Sequence, residues 1–450
     1  MAHTTRSLVY RYFAFRFTCL LGSKAFSVWP ETRVRKLGFG PAAKGCGPFY
    51  TGVPWRRDSM DIRITPGPLR GTVTPPPSKS MTHRVVLAML LAEGEGKISN
   101  LAVSQDVEAT RRCAGALKTD GACLPLLDCG ESGSTLRFLI PIALVLRGGG
   151  RFTGRGRLME RPQSPYFAIF DEKGVFYERK DGVLTVRGEL TPGKYRLPGG
   201  VSSQFVTGLL YALPLLDGDS EIVLSSALES RGYVDMTLAM LRDFGVRVEN
   251  RNYERFSVPG NQKFISKDIA IEADWSQAAF WLAAAALGNP VLTAGLNDRS
   301  VQGDRVIAAH LAALARGGHA PVEINVADCP DLLPPLAVMA ALRDGPTRFT
   351  HAARLRLKES DRLSSVTKTL NALGADVEEG ADFLSIRGRD SLKGGAAADC
   401  CSDHRIAMMA AIAATRCAEP VTLLGAECVG KSYPDFWEHY RMLGGKLHVL

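Results

Sequence analysis

Lys79, Ser80 and Arg84 stand in the run PPPSKSMTHR, between three prolines and the apolar stretch VVLAMLLAEG. Proline ahead of Ser78 or Ser80 reads as a helix start with a serine N-cap. A helix start also offers free N–H groups and the positive end of a dipole, and a lysine and an arginine beside it add charge for an anion. Both readings fit this stretch taken alone. The combination recurs along the chain. SQFVTGLLYALPLL, SQAAFWLAAAALG, DLLPPLAVMAAL and DHRIAMMAAIAAT are apolar nearly all round, which predicts buried helices. They open on polar residues, in SSQ, ADWSQ, CPD and SDHR, and ESGSTLRF fits the same scheme. Buried helices whose polar starts emerge side by side would build one convergent anion-binding cavity.

The elements that hold these starts in place form a repeat. Six helix-like stretches begin at Asp106, Tyr166, Tyr233, Asp304, Asp361 and Asp435. Each runs to a glycine and then into a strand, and in most of them the apolar residues fall at i, i+3, i+4 and i+7. Alternating segments such as KISNLAV, GVLTVRG, EIVLSS, RFSVPG and FLSIRG supply further strands. Six copies indicate an internal repeat of α+β units, three per domain, with solvent-facing aspartates at the helix starts.

Composition narrows the partners. The chain has 450 residues, 46% hydrophobic and 22% charged, enough for two or more domains of a soluble globular protein. No apolar run is long enough to span a bilayer. The net charge is +9, but residues 1–59 hold ten Lys/Arg against Glu31 and Asp58, so the remainder is within one charge of neutral. Its basic residues sit in separate motifs rather than a stripe with interleaved aromatics, which argues against nucleic acid. Ten cysteines occur without a C-x-x-C pair, which predicts reduced thiols, a cytoplasmic setting and no zinc site. Residues 1–59 are aromatic, arginine-rich and acid-poor, as a transit peptide would be. MDIRITPG at Met60 reads as a natural start, and a mis-assigned start upstream is the favoured expectation.

From Met60 onward the chain resembles the 5-enolpyruvylshikimate-3-phosphate synthase family of enolpyruvyl transferases. The resemblance rests on SKSMTHR, ESGSTLRF, ERP, SSQF, YVDMTL, QGD, CPDLLPPLA, KESDRL, DHRIAM and GKSYPDF, in that order. It implies a two-domain fold of six βαββαβ repeats with buried parallel helices. Residues 78–271 would be a continuous domain, 60–77 with 272–450 a discontinuous one, and the active site the cleft between. It also implies a monomer, with no metal or other cofactor, acting on phosphoenolpyruvate and shikimate 3-phosphate. The family joins the 5-hydroxyl of the second to C2 of the first through a tetrahedral intermediate, then expels phosphate.

The resemblance extends to individual residues. Lys79, Gly133, Arg161, Arg362, Arg405 and Lys431 match the family's phosphoenolpyruvate clamp. Lys79, Ser80, Arg84, Ser202, Ser203, Gln204, Ser230, Tyr233, Asp331 and Lys358 match positions that hold shikimate 3-phosphate. Asp331 matches the candidate base for the 5-hydroxyl and Glu359 the candidate proton donor to the methylene carbon, with Lys79 sharing in proton transfer. Asp361 reads as the cap of the helix that carries Arg362. Four positions depart from the commoner pattern: Glu131 and Arg354 where many members have asparagine, Phe138 and Gly232 where many have proline. The opposite charges of Glu131 and Arg354 suggest linked variation. Two other functions are weighed. The sister transferase acting on UDP-N-acetylglucosamine usually carries a loop cysteine, and neither Cys113, Cys123 nor Cys129 sits in such a loop. A polyanion-binding protein without catalysis conflicts with the near-neutral body of the chain.

Overall fold

A computed structural model describes residues 59–119, 121–316 and 318–450. The reading of residues 1–58 as an extension lies outside the described residues. Twelve α-helices occur among those described, alternating between inner and outer positions. In the first half, α1 (Lys79–Leu91), α3 (Gly133–Arg147) and α5 (Ser203–Ala212) are inner helices. Their outer partners are α2 (Gln105–Lys118), α4 (Ser164–Lys173) and α6 (Arg231–Asp243). In the second half the inner helices are α7 (Trp275–Ala286), α9 (Leu333–Ala341) and α11 (His404–Ala414). The outer ones are α8 (Ile307–Arg316), α10 (Arg362–Ala372) and α12 (Phe436–Met442).

Inner and outer helices follow from their sequences. All nine residues of α9 and all eleven of α11 are buried, as an apolar surface without a polar face requires. The outer helices bury one stripe; α6 buries Val234, Met236, Thr237, Met240 and Leu241. The inner helix α3 contains Pro141, which cannot donate to the carbonyl of Arg137 four residues earlier. The Tyr166 hydroxyl donates to that carbonyl at 2.7 Å, with Phe205 O the longer contact at 3.1 Å. Gly208 makes this possible, because a Cβ there would lie 2.3 Å from the Tyr166 hydroxyl.

Four units carry a four-stranded sheet of one pattern. In the first, Leu126–Asp128 and Gly149–Thr153 pair in parallel, Val183–Arg187 runs antiparallel beside them, and Phe176–Lys180 forms the edge. The same order recurs within 193–258 and 322–387. In the fourth sheet, Ala397–Asp399, Val421–Leu424 and Lys446–Val449 are joined by Ile62–Thr65, inserted between the last two. Its alternation explains the fit: Ile62 and Ile64 are buried, Arg63 and Thr65 exposed. The remaining units are reduced to two-stranded parallel ladders, such as Gly71–Val73 with Val291–Thr293. Within a full unit the chain runs βαβαββ, which corrects the expected order βαββαβ: the two strands after the outer helix form a hairpin.

The units assemble into a two-domain α+β fold. One hydrophobic core draws on residues 62–73 and 275–443, the other on 85–271. Each inner helix presents its N-terminus, and the residues just before it, to the space between the cores. Among the described residues no helix is long and apolar enough to cross a membrane.

Candidate active site

The cleft is built from helix mouths. At α1 the cap is Ser78, whose hydroxyl accepts from Met81 N, and the first-turn amide of Lys79 donates to Asp274, itself the cap of α7. Lys79 Nζ reaches Asp106 at 3.0 Å. Arg84, one turn on, donates to Ser80 O, Tyr233 O and Thr237 Oγ1 and lies over the Phe138 ring at 5.3 Å. Burial lowers its pKa to about 10. Phe138 is thus the platform for this guanidinium.

Gly133 starts α3 behind the Ser132 cap. A Cβ on Gly133 would stand 2.7 Å from Arg161 Nη1, so the bare backbone is what lets the guanidinium settle there. At α5, Ser202 caps the helix, and Gln204 is fixed from both sides: Arg137 donates to its Oε1 at 2.8 Å and its Nε2 donates to Ser134 at 3.0 Å. At α6 the N-cap Ser230 has φ 57 and accepts from Arg354 at 2.6 Å. Gly232 lies against Gly303, where a Cβ would meet the opposing Cα at 2.7 Å, so no larger residue fits without a shift.

The centre of the cleft is an ionic network. Asp331 follows Pro330 in a short turn leading into α9. Its Oδ1 accepts from Arg362 at 2.8 Å and Lys358 at 3.3 Å; its Oδ2 accepts from Tyr233 at 3.0 Å and Arg405 at 3.3 Å. Burial pushes the Asp331 carboxyl up, but Arg405, Lys358 and Arg362 outweigh it and hold the group well below the usual carboxylate range. Glu359 behaves alike: burial raises it, while Arg362 at 2.7 Å and Arg161 at 4.0 Å win and keep it ionised. Lys358 is lowered by burial, despite the Asp331 charge. Arg362 is anchored from behind by Asp403, at 2.9 Å, and Asp403 also caps α11 through Arg405 N. Asp361 does cap α10, accepting from Ser364 N.

Fifteen of the expected residues line this single cavity: Lys79, Ser80, Arg84, Gly133, Arg161, Ser202, Ser203, Gln204, Ser230, Tyr233, Asp331, Lys358, Glu359, Arg362 and Arg405. Eight lysines and arginines line it against four aspartates and glutamates, an excess suited to several anionic groups. Lys431 is not on the lining. Its ammonium is held by Glu131 at 2.5 Å and Ser402 O at 2.7 Å. Burial lowers its pKa, and the Glu131 hydrogen bond overrides this to raise it. Glu131 and Arg354 do not pair with each other: Glu131 holds Lys431, and Arg354 bonds Glu229 and Ser230. Nor are all the repeat's aspartates solvent-facing. Asp106 lines the cleft and Asp304 is buried behind it.

Sequence reasoning missed Arg137, Asp274, Asp304 and Asp403 as parts of the site. Asp274 and Asp403 carry a legible signal, since each precedes an apolar run as a cap does. Their second partners, Lys79 and Arg362, lie 195 and 41 residues away and leave no local trace.

Two domains of repeated βαβαββ units around a cation-rich cleft define the class of enolpyruvyl transferases. The enolpyruvyl transferase NikO from Streptomyces tendae shares the fold, with a TM-score of 0.70 at 18% identity over 87% of this chain and 99% of that one. The chain belongs to the EPSP synthase family: the family described as EPSP synthase (3-phosphoshikimate 1-carboxyvinyltransferase) matches residues 64–440. The 3-phosphoshikimate 1-carboxyvinyltransferase of Clostridium acetobutylicum is 44% identical over 425 residues, 86% of this chain and 98% of that protein. That of Clostridium kluyveri is 44% identical over 420 residues, with the same coverage. The EPSP synthase structure from Acinetobacter baumannii superimposes with a TM-score of 0.69 at 25% identity, over 87% of this chain and all of that one.

Proposed function

We propose that this chain transfers the enolpyruvyl group of phosphoenolpyruvate to the 5-hydroxyl of shikimate 3-phosphate and releases phosphate. One observation carries the reading. A single guanidinium, Arg362, holds two ionised carboxylates, Asp331 at 2.8 Å and Glu359 at 2.7 Å, on a lining rich in cations. That supplies two acid–base groups flanking one anion site.

The chemistry follows from charge. Lys79, Arg161, Arg362 and Arg405 take the phosphate and carboxylate of phosphoenolpyruvate, Arg bidentately where geometry allows. Ser202, Ser203, Gln204, Ser230, Arg84 and Lys358 hold shikimate 3-phosphate. Incoming anions then share the cations that now hold Asp331 and Glu359, and both carboxyls rise in pKa. Asp331 becomes a better base and takes the 5-hydroxyl proton as its oxygen attacks C2. Glu359 becomes able to take up a proton from water in the cleft and delivers it to C3. Glu359, again a carboxylate, then takes a C3 proton back as the C2–O bond to phosphate breaks, which gives the enolpyruvyl ether, and the proton held by Asp331 leaves with the phosphate. Ion pairs that hold the carboxylates ready without substrate are released only when both anions arrive, which favours reaction over hydrolysis of one substrate alone. Every group of the cleft comes from one chain, which supports a monomer. The two cores support 78–271 as the continuous domain and 60–77 with 272–450 as the other. The near-neutral body of the chain supports small-molecule substrates rather than nucleic acid, and the free cysteines among the described residues support a cytoplasmic setting.

The test is phosphate release by the full chain with both substrates, and with each omitted. Release that needs both supports the reading. Release with UDP-N-acetylglucosamine in place of shikimate 3-phosphate transfers it to the sister activity. Lys79→Met is expected to cut turnover by about 10²–10³-fold or more. The fold should persist, because Lys79 Nζ bonds only Asp106 at the cleft edge. Unchanged circular dichroism alongside the loss is the expected result; near-normal turnover removes Lys79 from the site. Gly133→Ala is expected to push the Arg161 guanidinium off its seat and raise the KM for phosphoenolpyruvate by about tenfold. The KM for shikimate 3-phosphate should move far less, and steady-state kinetics with each substrate varied separates the two.

A further inference from the structure

The QGD motif places Asp304 in the turn Gly303–Val306, just behind the cleft, with its side chain buried. The Tyr233 hydroxyl lies 3.1 Å from Asp304 Oδ2 and 3.0 Å from Asp331 Oδ2. A phenol has one proton and donates to one oxygen at a time. Two ionised carboxylates would leave one contact as acceptor against acceptor, and on the Asp304 side that carboxylate is buried. The pair of contacts therefore needs a second proton. Asp331 does not hold it, because Arg362, Lys358 and Arg405 all point at its oxygens. Asp304 has no such ring of cations. Arg405 is turned to Asp331 and Ser276 instead, and Asp304 Oδ1 has no hydrogen-bond partner.

We propose that Asp304 carries this second proton and is a positioning residue for Asp331, donating to Tyr233 Oη so that the Tyr233 proton is aimed at Asp331 Oδ2. The inference rests on the function proposed above. The groups around Asp304 agree with it. Burial, then the charge of Asp331, raise the Asp304 carboxyl to about 6, with Asp274 adding to the rise and Arg405 and the Ser276 hydroxyl opposing it. Cys329 is the remaining titratable neighbour, and burial keeps its thiol protonated. Burial and the two carboxylates also hold the Tyr233 phenol well above its ordinary value, so its proton stays. Once Asp304 ionises, two carboxylates compete for one phenol proton and Asp331 loses a fixed donor.

Asp304→Asn and Asp304→Ala in the full chain separate the possibilities. The asparagine amide donates to Tyr233 Oη as a protonated carboxyl does and cannot ionise; alanine leaves Oη without that donor. Asp304→Ala is expected to lower kcat/KM for shikimate 3-phosphate by at least about tenfold, and Asp304→Asn to recover most of that loss at about pH 5.5. The wild-type profile of kcat/KM should show an ionisation near pH 6 that Asp304→Asn lacks. A folded Asp304→Asn as impaired as Asp304→Ala, or one with the wild-type profile, overturns the proposal. If wild type shows no turnover, the proposed function has failed and thermal unfolding decides the proton on its own. A carboxyl with a raised folded pKa loses stability as pH rises through that value. Asp304→Asn should then melt above wild type at about pH 8, with the gap narrowing below about pH 6 and closing by about pH 4. A variant melting below wild type at about pH 8 overturns the assignment of the proton.

Discussion

Replacing Arg362 with methionine is expected to cut turnover by at least about 10³-fold and to destabilise the fold by about 3–5 kcal/mol at neutral pH. Arg362 is 1% exposed and bonds three carboxylates: Asp403 at 2.9 Å, Asp331 at 2.8 Å and Glu359 at 2.7 Å. Methionine fills much of the same volume, so the loss is charge rather than packing. Asp331 would keep Lys358, Arg405 and Tyr233, and Asp403 would keep Ser360 and the amide of Arg405. Glu359 would be left with Arg161, 4.0 Å away. The pH dependence has a definite sign. Asp331 and Glu359 have folded pKa values below their unfolded ones, about 4. Such groups contribute stability that is present above the unfolded pKa and is lost as pH falls through the folded one. Without Arg362 both carboxyls move up and that contribution shrinks. The deficit of the variant should therefore be large at pH 7 and narrow only well below pH 4, towards about pH 2, in urea unfolding followed by fluorescence. An equal deficit at both values would mean that Arg362 acts through its packing.

The same network marks where sequence reasoning reached and where it stopped. The mouths of the inner helices were legible because an apolar run, a cap residue and a basic residue are neighbours in sequence: Ser78 with Lys79 and Arg84, Asp361 with Arg362. The repeat was legible for the same local reason, down to buried helices with no polar face. The order of strands within a unit was not, because GVFYE and GVLTVRG each read as a strand without stating which partner it takes. What an ion pair does was also hidden. Lys431 looks like one more cation for the clamp, and only the fold brings Glu131, 300 residues away, to within 2.5 Å of it. Arg84 looks wholly free for substrate, yet three of its five N–H donors already have protein acceptors, which leaves two for a ligand. The family pattern supplies which residues share a site, whereas the charge each one carries depends on neighbours that the pattern does not name.

Replacing Asp331 with asparagine is expected to lower kcat by about 10²–10⁴-fold while leaving the KM for both substrates unchanged or lower. The amide has the shape of the carboxylate but one acceptor oxygen: turned to Arg362 and Lys358 it keeps both, and its NH2 then faces Tyr233 Oη, which can accept, and Arg405, which cannot. Arg405 in any case keeps Asp331 O at 3.1 Å and Ser276 at 2.7 Å. The variant should fold. What it loses is the only group at this position that can accept the 5-hydroxyl proton. What it gains is an excess of positive charge, since three cations no longer face the Asp331 anion. Phosphate and carboxylate groups then bind a more positive cleft, which cannot raise KM on electrostatic grounds. A fall in kcat with flat or falling KM is the signature of a group that acts in the transition state rather than in binding. A raised KM with unchanged kcat would instead make Asp331 a holder of the surrounding cations, and the proton would have to leave by another group. Steady-state kinetics with each substrate varied in turn distinguishes the two, because the charge argument and the proton argument predict opposite movements of KM and kcat.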